Sequence, residues 1–333
     1  MIDLHLHLDG SLSKEDFIYL ADKQNINLGN DFPNNIYVSK NCKSLEEYLE
    51  KFDLPLKLMQ TSEALEYCTY SLVTRLYKLG YIYAEIRYAP LLHLEQGLTM
   101  SQVVEATIRG LKKGLLETKN FDANLILCCM RHAPKELNLQ TVEMANTYKN
   151  DKVVAVDLAG AEALHPSSYF KEVFDLAKQY KLNITIHAGE ATGSDEIMQA
   201  IDNGAMRIGH GVHLSLDEHS ISKVKEHNIC FEFCPTSNLQ TKSLKTYKDV
   251  PLIQFMKNGI DVCINSDNMT VSNVTEIQDM KTMISTFNLT KNDVFKLYES
   301  AIKHAFVSNE KRVELLNILK VKFDSFYLVN FND

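Results

Sequence analysis

Long apolar runs are absent from this sequence. No stretch approaches the roughly 18 uncharged apolar residues that a membrane span needs, so no membrane partner is expected. The first residues, Met1-Ile2-Asp3-Leu4-His5, carry neither the basic region nor the apolar core of a secretory signal, and the expected location is the cytoplasm. Paired cysteine motifs are absent too: the chain has seven cysteines, an odd number, and no C-x-x-C. Cys128, Cys129, Cys230, Cys234 and Cys263 fall in apolar, strand-like segments, which buried free thiols in a reducing compartment explain better than disulfides. Cys128 and Cys129 are adjacent and would face opposite sides of a strand, so they make no zinc pair. Basic charge is in deficit, with 35 Lys and Arg against 43 Asp and Glu and a net charge of −8. That argues against the clustered cationic surface on which nucleic-acid binding rests, and no nucleic-acid partner is expected.

What is present reads as a globular α/β chain. With 333 residues, 45% hydrophobic and 23% charged, it has the length and composition of one large barrel domain. Short apolar runs rich in Val and Ile recur near residues 2–7, 81–87, 124–130, 153–158, 183–187, 206–209, 229–233 and 260–265. Helix-period segments such as 100–118, 168–181, 216–227 and 275–286 alternate with them, and 291–330 also reads as helical. Alternating strands and helices imply a parallel sheet with helices outside, and eight repeats suggest a closed (β/α)8 TIM-type barrel. The first connection, residues 10–80, is too long for one crossover helix and is expected to form a helical cap inserted after the first strand. No linker, low-complexity tract or short-period repeat interrupts the chain, so residues 1–333 are expected to be a single catalytic barrel domain.

In such a barrel, functional residues lie at the carboxyl ends of the strands. Five short motifs sit where an apolar run stops: His5-Leu6-His7-Leu8-Asp9-Gly10, Asp157-Leu158-Ala159-Gly160, His187-Ala188-Gly189-Glu190, Gly209-His210-Gly211 and Asn265-Ser266-Asp267-Asn268. His5 and His7 alternate on a strand, which puts both imidazoles on one face, about 6–7 Å apart along the backbone. Alone, they read more readily as barrel-lining histidines, or as solvent-exposed ones at a frayed terminus, than as ligands. His187 alone reads as a hydrogen-bonded core histidine, and Asp267 as a helix N-cap. Together the four form a set of three imidazoles and one carboxylate suited to Zn2+, with Fe2+, Co2+ or Mn2+ fitting the same donors. A metal there would lower the pKa of a bound water toward neutrality.

Glu190 follows His187 closely; held off the metal, it would act as a general acid. The alternative is a surface Glu opening the next helix. His210 lies between two glycines that let the backbone approach a ligand, and is a candidate base; otherwise it is a structural histidine in a turn. Gly160 offers a backbone N–H at the end of the fourth strand, or is a loop glycine. His93, His132, His165, His213, His219, His227 and His304 are read as structural, with His213 nearest the site in sequence. His93-Leu94-Glu95 matches half of the signature of the zinc deaminases that edit nucleobases, but the Pro-Cys-x-x-Cys half is absent and that family is excluded.

Through these motifs the sequence resembles the adenosine deaminase family of metal-dependent amidohydrolases. The similarity runs from His5 to about Asn273 and is carried also by Glu85-Ile86-Arg87-Tyr88, Arg207-Ile208-Gly209-His210-Gly211 and Cys234-Pro235-Thr236-Ser237-Asn238. The resemblance implies a single zinc ion (Zn2+) held by His5, His7, His187 and Asp267. It implies that Glu190 protonates purine N1, that His210 activates or orients the water at the metal, and that hydroxide adds to C6 before ammonia leaves. Gly160 would contact N3 and Asp9 the ribose 5′-hydroxyl. Leu45, Tyr48, Leu49 and Phe52 have helical spacing and would form an apolar lid, although ordinary helix packing also explains them. Asp9, where the similar adenine deaminases usually carry Glu, favours a nucleoside. One position departs from the pattern: the family often has a second Asp after the metal-binding one, and here it is Asn268, whose amide can still donate to purine N7.

The implied activity is hydrolytic deamination of adenosine and 2′-deoxyadenosine in purine salvage, with a small purine nucleoside as the partner. Adenine or another aminopurine is the alternative substrate. A two-metal amide or phosphoester hydrolase often needs a Lys at the end of the fourth strand, where this chain has Val156-Asp157-Leu158-Ala159-Gly160. A non-catalytic purine-binding protein should have lost Glu190, His210 or a ligand, and none is missing.

Overall fold

The computed structural model describes residues 1–39, 42 and 45–331, with the side chains of Leu45 and Glu46 outside the described residues. Eight parallel strands pair in sequence order: β1 (Ile2–His7), β2 (Tyr83–Tyr88), β3 (Asp122–Met130), β4 (Val153–Ala159), β5 (Asn183–Ala188), β6 (Arg207–His210), β7 (Cys230–Phe233) and β8 (Asp261–Ile264). Each overlaps its expected apolar run, and helices surround the sheet as in a (β/α)8 TIM barrel. The barrel closes where Leu6 and Asp267 form a parallel bridge. There the His7 N–H donates to the Asp267 carbonyl at 2.7 Å, and the Asp267 N–H to the His5 carbonyl at 2.8 Å. The seam of the barrel is thus built from the segments that carry the candidate metal ligands.

Strand alternation separates two interiors. On β2, Ala84, Ile86 and Tyr88 point outward into the apolar layer between sheet and helices. Glu85 and Arg87 are equally buried but join a network of charges. Arg207 reaches Glu85 and Glu232, each at 2.6 Å, while Arg87 reaches Glu232 at 2.8 Å and Asp157 at 2.9 Å. A buried charge is costly unless paired, and here each cation bridges two carboxylates. This network lies directly beneath the candidate site.

Between β1 and β2 the chain forms helices Lys14–Gln24, Leu45–Leu49, Asp53–Leu58 and Ser62–Lys78. The first opens on a capping box made by Ser13 and Asp16 and ends at Asn25 in the left-handed conformation. The short helix Leu45–Leu49 and the turn Glu50–Phe52 bring Tyr48, Leu49 and Phe52 to the cavity at the barrel mouth. Residues 291–330 resolve into two helices, Lys291–His304 and Asn309–Phe331. All seven cysteines are buried, and Cys68, Cys128, Cys129, Cys230, Cys234 and Cys263 form no disulfide. Among the described residues, no helix is long and apolar enough to cross a membrane.

Candidate active site

β1, β5 and the turn after β8 bring His5, His7, His187 and Asp267 together, with one donor atom of each lying within 4.8 Å of the others. Asp267 Oδ1 is 3.4 Å from both His5 Nε2 and His7 Nε2, and His7 Nε2 is 3.2 Å from His187 Nε2. His5 Nε2 is buried without a hydrogen-bond partner. A cation at the centre of the four would satisfy that atom, and the donor set is one that zinc accepts.

Carboxylates back two of these imidazoles. His5 Nδ1 lies 2.7 Å from Glu232 and His187 Nδ1 3.0 Å from Asp157. Each carboxylate favours the N–H on Nδ1, leaving the Nε2 lone pair facing the cluster. Burial pushes the His7 imidazole well below its usual pKa despite Asp267 beside it, which keeps it in the neutral, ligating form. Burial also opposes ionisation of Asp267, but the neighbouring His5, His7 and His210 imidazoles hold its carboxyl well below the usual range. Cys234 also stands near Asp267 and His210, but burial pushes its thiol up, away from the thiolate that metals bind.

Opposite the cluster stands Glu190, in the turn after β5. Its Oε1 accepts from the Thr241 hydroxyl at 3.0 Å, and its Oε2 is 3.6 Å from His210 Nε2. His210 sits in the left-handed region at φ 61°. Its Nδ1 lies 3.1 Å from the Asn238 amide, so a neutral group backs this histidine where carboxylates back His5 and His187. The turn holding Glu190 wraps around Glu162, whose carboxylate accepts N–H bonds from Gly189 at 2.9 Å, Thr192 at 2.7 Å and Ala191. His213 braces the same turn through the Gly189 carbonyl at 3.2 Å.

These groups open onto a cavity of about 330 Å3. His7, His187, Glu190, His210 and Asp267 line it, as do Asp9, Gly160 and Asn268. Tyr48, Leu49 and Phe52 line it from the β1–β2 connection, while the Leu45 side chain lies outside the described residues. Burial raises the Asp9 carboxyl to about 6, against backbone N–H groups that favour its charge. The Asn268 amide donates to the Tyr48 hydroxyl at 2.9 Å. His132 and His165, expected to be structural, also line the cavity. Their position just beyond strand ends was the signal for them. Glu162, Glu232 and Thr241 were not singled out, and Asp157 and Asn238 stood only inside motifs with no role of their own, because each acts on a partner remote in sequence.

The model of the Adenosine deaminase family matches residues 1–322. The adenosine deaminase of Haemophilus ducreyi is 42% identical over 331 residues, covering 97% of this chain and 96% of that protein. Among solved structures, the arabidopsis N6-mAMP deaminase superposes with a TM-score of 0.84 at 27% identity, covering 97% of each chain. The adenine deaminase of Arthrobacter aurescens superposes with a TM-score of 0.88 at 21% identity, over 97% of this chain and 98% of that one, a likeness that shows the fold.

Proposed function

The chain belongs to the adenosine deaminase family, and on that premise we propose that it hydrolyses adenosine and 2′-deoxyadenosine to inosine and 2′-deoxyinosine with release of ammonia. The observation that carries the reading is the convergence of His5, His7, His187 and Asp267 within 4.8 Å, on a cavity that Glu190 and His210 share. Zinc is the ion these four residues would hold, and when bound it supplies a Lewis acid that makes water nucleophilic near neutral pH. His210 Nε2 orients the attacking water, and takes its proton when the unpartnered Asn238 oxygen is turned to accept from the Nδ1–H. Glu190, steadied by Thr241, donates a proton to purine N1, which draws electrons from C6. Gly160 meets the purine N3 side, Asp9 the ribose 5′-hydroxyl, and Asn268 the N7 side. Residues 1–333 act as one catalytic domain in which 10–80 form the cap. Tyr48, Leu49 and Phe52 in that cap exclude water from the purine.

The substrate is a nucleoside rather than a nucleotide. Among the described residues lining the cavity there is no Lys or Arg, whereas Asp9, Asp53, Glu190 and Asp267 all contribute carboxyls. A 5′-phosphate would meet negative charge and no guanidinium or ammonium to bind it. Adenine alone would leave Asp9 without its sugar partner. The setting that fits this chemistry is purine salvage in the cytoplasm.

The test is to incubate metal-loaded protein separately with adenosine, 2′-deoxyadenosine, adenine and AMP, and to follow the ultraviolet change from amino- to oxopurine. The nucleosides alone should be converted. Conversion of AMP or adenine in their place overturns the roles given to the cavity charge and Asp9. No conversion of any of them, with metal content verified, overturns the proposed function.

A further inference from the structure

We propose that Tyr48 is a positioning residue whose hydroxyl, relayed from Ser272, turns the Asn268 amide so that it presents an N–H to purine N7. The inference rests on the nucleoside reading above and adds what sets the orientation of that amide. Tyr48 comes from helix Leu45–Leu49 in the β1–β2 connection, whereas Asn268 and Ser272 lie beyond β8. The Tyr48 hydroxyl is 2.7 Å from Ser272 Oγ and 2.9 Å from Asn268 Nδ2. Tyr48 is 2% exposed and Asn268 3% exposed, so water does not substitute for these contacts.

The remaining amide atom completes the argument. Asn268 Oδ1 is buried with no hydrogen-bond partner, while the residue itself lines the cavity. Purine N7 only accepts, so it needs the N–H side of the amide, which here is engaged with Tyr48. A half-turn of the amide exchanges the two ends. The Ser272 hydroxyl would then donate to Tyr48, Tyr48 would donate to Asn268 Oδ1, and Nδ2 would face N7. Hydroxyls can run a hydrogen-bond chain in either direction, so the relay reverses when N7 takes the N–H, and only then are both ends of the amide satisfied, Oδ1 by Tyr48 and Nδ2 by N7. Burial and the Asp267 charge push the phenol well above its usual pKa, so Tyr48 keeps the proton it must donate. Gly10 leaves the space: a Cβ there would lie 1.9 Å from Asn268 Oδ1 and 2.6 Å from its Cγ. An apolar lid needs only the ring of Tyr48; the hydroxyl is explained by the amide.

The test compares adenosine with 7-deazaadenosine, which lacks the N7 acceptor. In Tyr48→Phe, kcat/KM for adenosine should fall about tenfold, the worth of one net hydrogen bond, while the inhibition constant of 7-deazaadenosine stays within about twofold. Ser272→Ala, which leaves the Tyr48 ring in place, should show a smaller loss with the same selectivity. In an Asn268→Ala background, Tyr48→Phe should add nothing further. Thermal midpoint and metal content of each variant establish that it is folded and loaded. Equal weakening toward both ligands, or additive losses, would overturn the relay. Wild-type protein that leaves adenosine unchanged would instead refute the nucleoside reading, so the two failures are distinguishable.

Discussion

Glu162 is given no chemical step, yet the placement of Glu190 depends on it. Its two carboxylate oxygens accept backbone N–H bonds from Gly189, Ala191 and Thr192, on both sides of Glu190. Glu162→Gln replaces one oxygen with an NH2 that faces N–H donors, and the turn must shift. A misplacement of about 1 Å at a reacting group can cost 10²-fold, so kcat should fall roughly 10–10²-fold. Bound metal should be unchanged, since no candidate ligand touches Glu162. Steady-state kinetics with metal analysis decides this; normal turnover would mean that the turn holds its shape unaided. Glu190→Gln should be the more severe change, with kcat lower by about 10²–10⁴ and metal retained. Metal loss or near-normal turnover in that variant would refute the proton-donor role. The two residues differed sharply in legibility. Glu190 follows a histidine at a strand end, whereas Glu162 works on groups 27–30 positions away and carries no local mark.

Strands were the most legible elements, because their outward residues form short apolar runs against the helices. What those runs did not reveal is the charged lumen: in Tyr83-Ala84-Glu85-Ile86-Arg87-Tyr88, alternation normally places charge toward solvent, and here it points inward to partners on β4, β6 and β7. Helix Lys135–Tyr148 is not among the segments named from periodicity, because buried Asn138 and Thr141 dilute its apolar stripe. The Asn138 amide pairs instead with both backbone groups of Met130, at 2.9 and 3.0 Å. β6 shows how closely an element is fitted to the site. A Cβ on Gly209 would lie 2.9 Å from the His5 ring and 3.2 Å from the His187 backbone. Gly209→Ala should therefore retain the fold by circular dichroism but bind metal at least about tenfold more weakly, the shift expected when imidazoles leave their positions. Full occupancy under competition from a chelator would show that the strand yields. Helix Glu276–Phe287 is pinned at Asp279, which accepts from the Thr236 hydroxyl at 2.5 Å and its N–H at 3.3 Å. Burial raises this carboxyl to about 7, with the Thr236 bonds opposing. The folded form thus holds a proton that the unfolded chain releases near its ordinary value. Stability from this group is full below about pH 4 and is lost as pH rises through about 7. Asp279→Asn should flatten the fall in melting temperature between pH 5 and 7.5; an unchanged slope would remove Asp279 as its source.

At the scale of the whole molecule, the candidate ligands close the fold as well as the site. His7 and His187 are 180 positions apart, and the segments bearing Asp267 and His5 form the barrel seam. A cation at the centre would take up the unpartnered His5 Nε2 and the Asp267 carboxylate that lies 3.4 Å from both His5 and His7 Nε2. The unfolded chain cannot assemble such a set, so a bound ion stabilises the folded state by mass action, by about 2.7 kcal/mol at a free concentration one hundred times its dissociation constant. For a chain of this size each kcal/mol moves the melting temperature by about 2–4 °C or somewhat less. Stripping the metal should therefore lower the midpoint by several degrees, and adding back one equivalent of zinc should restore it. His5→Ala and Asp267→Ala should bind little metal, and their midpoints should no longer respond to chelator. Glu190→Gln, which changes no candidate ligand, should respond as the unaltered protein does. That contrast separates a metal that fastens strands together from one that only serves the reaction. If verified removal of the metal left the unaltered protein's midpoint unmoved, the strand seam would be held by its backbone bonds alone, and the four donors would have no part in closing the barrel.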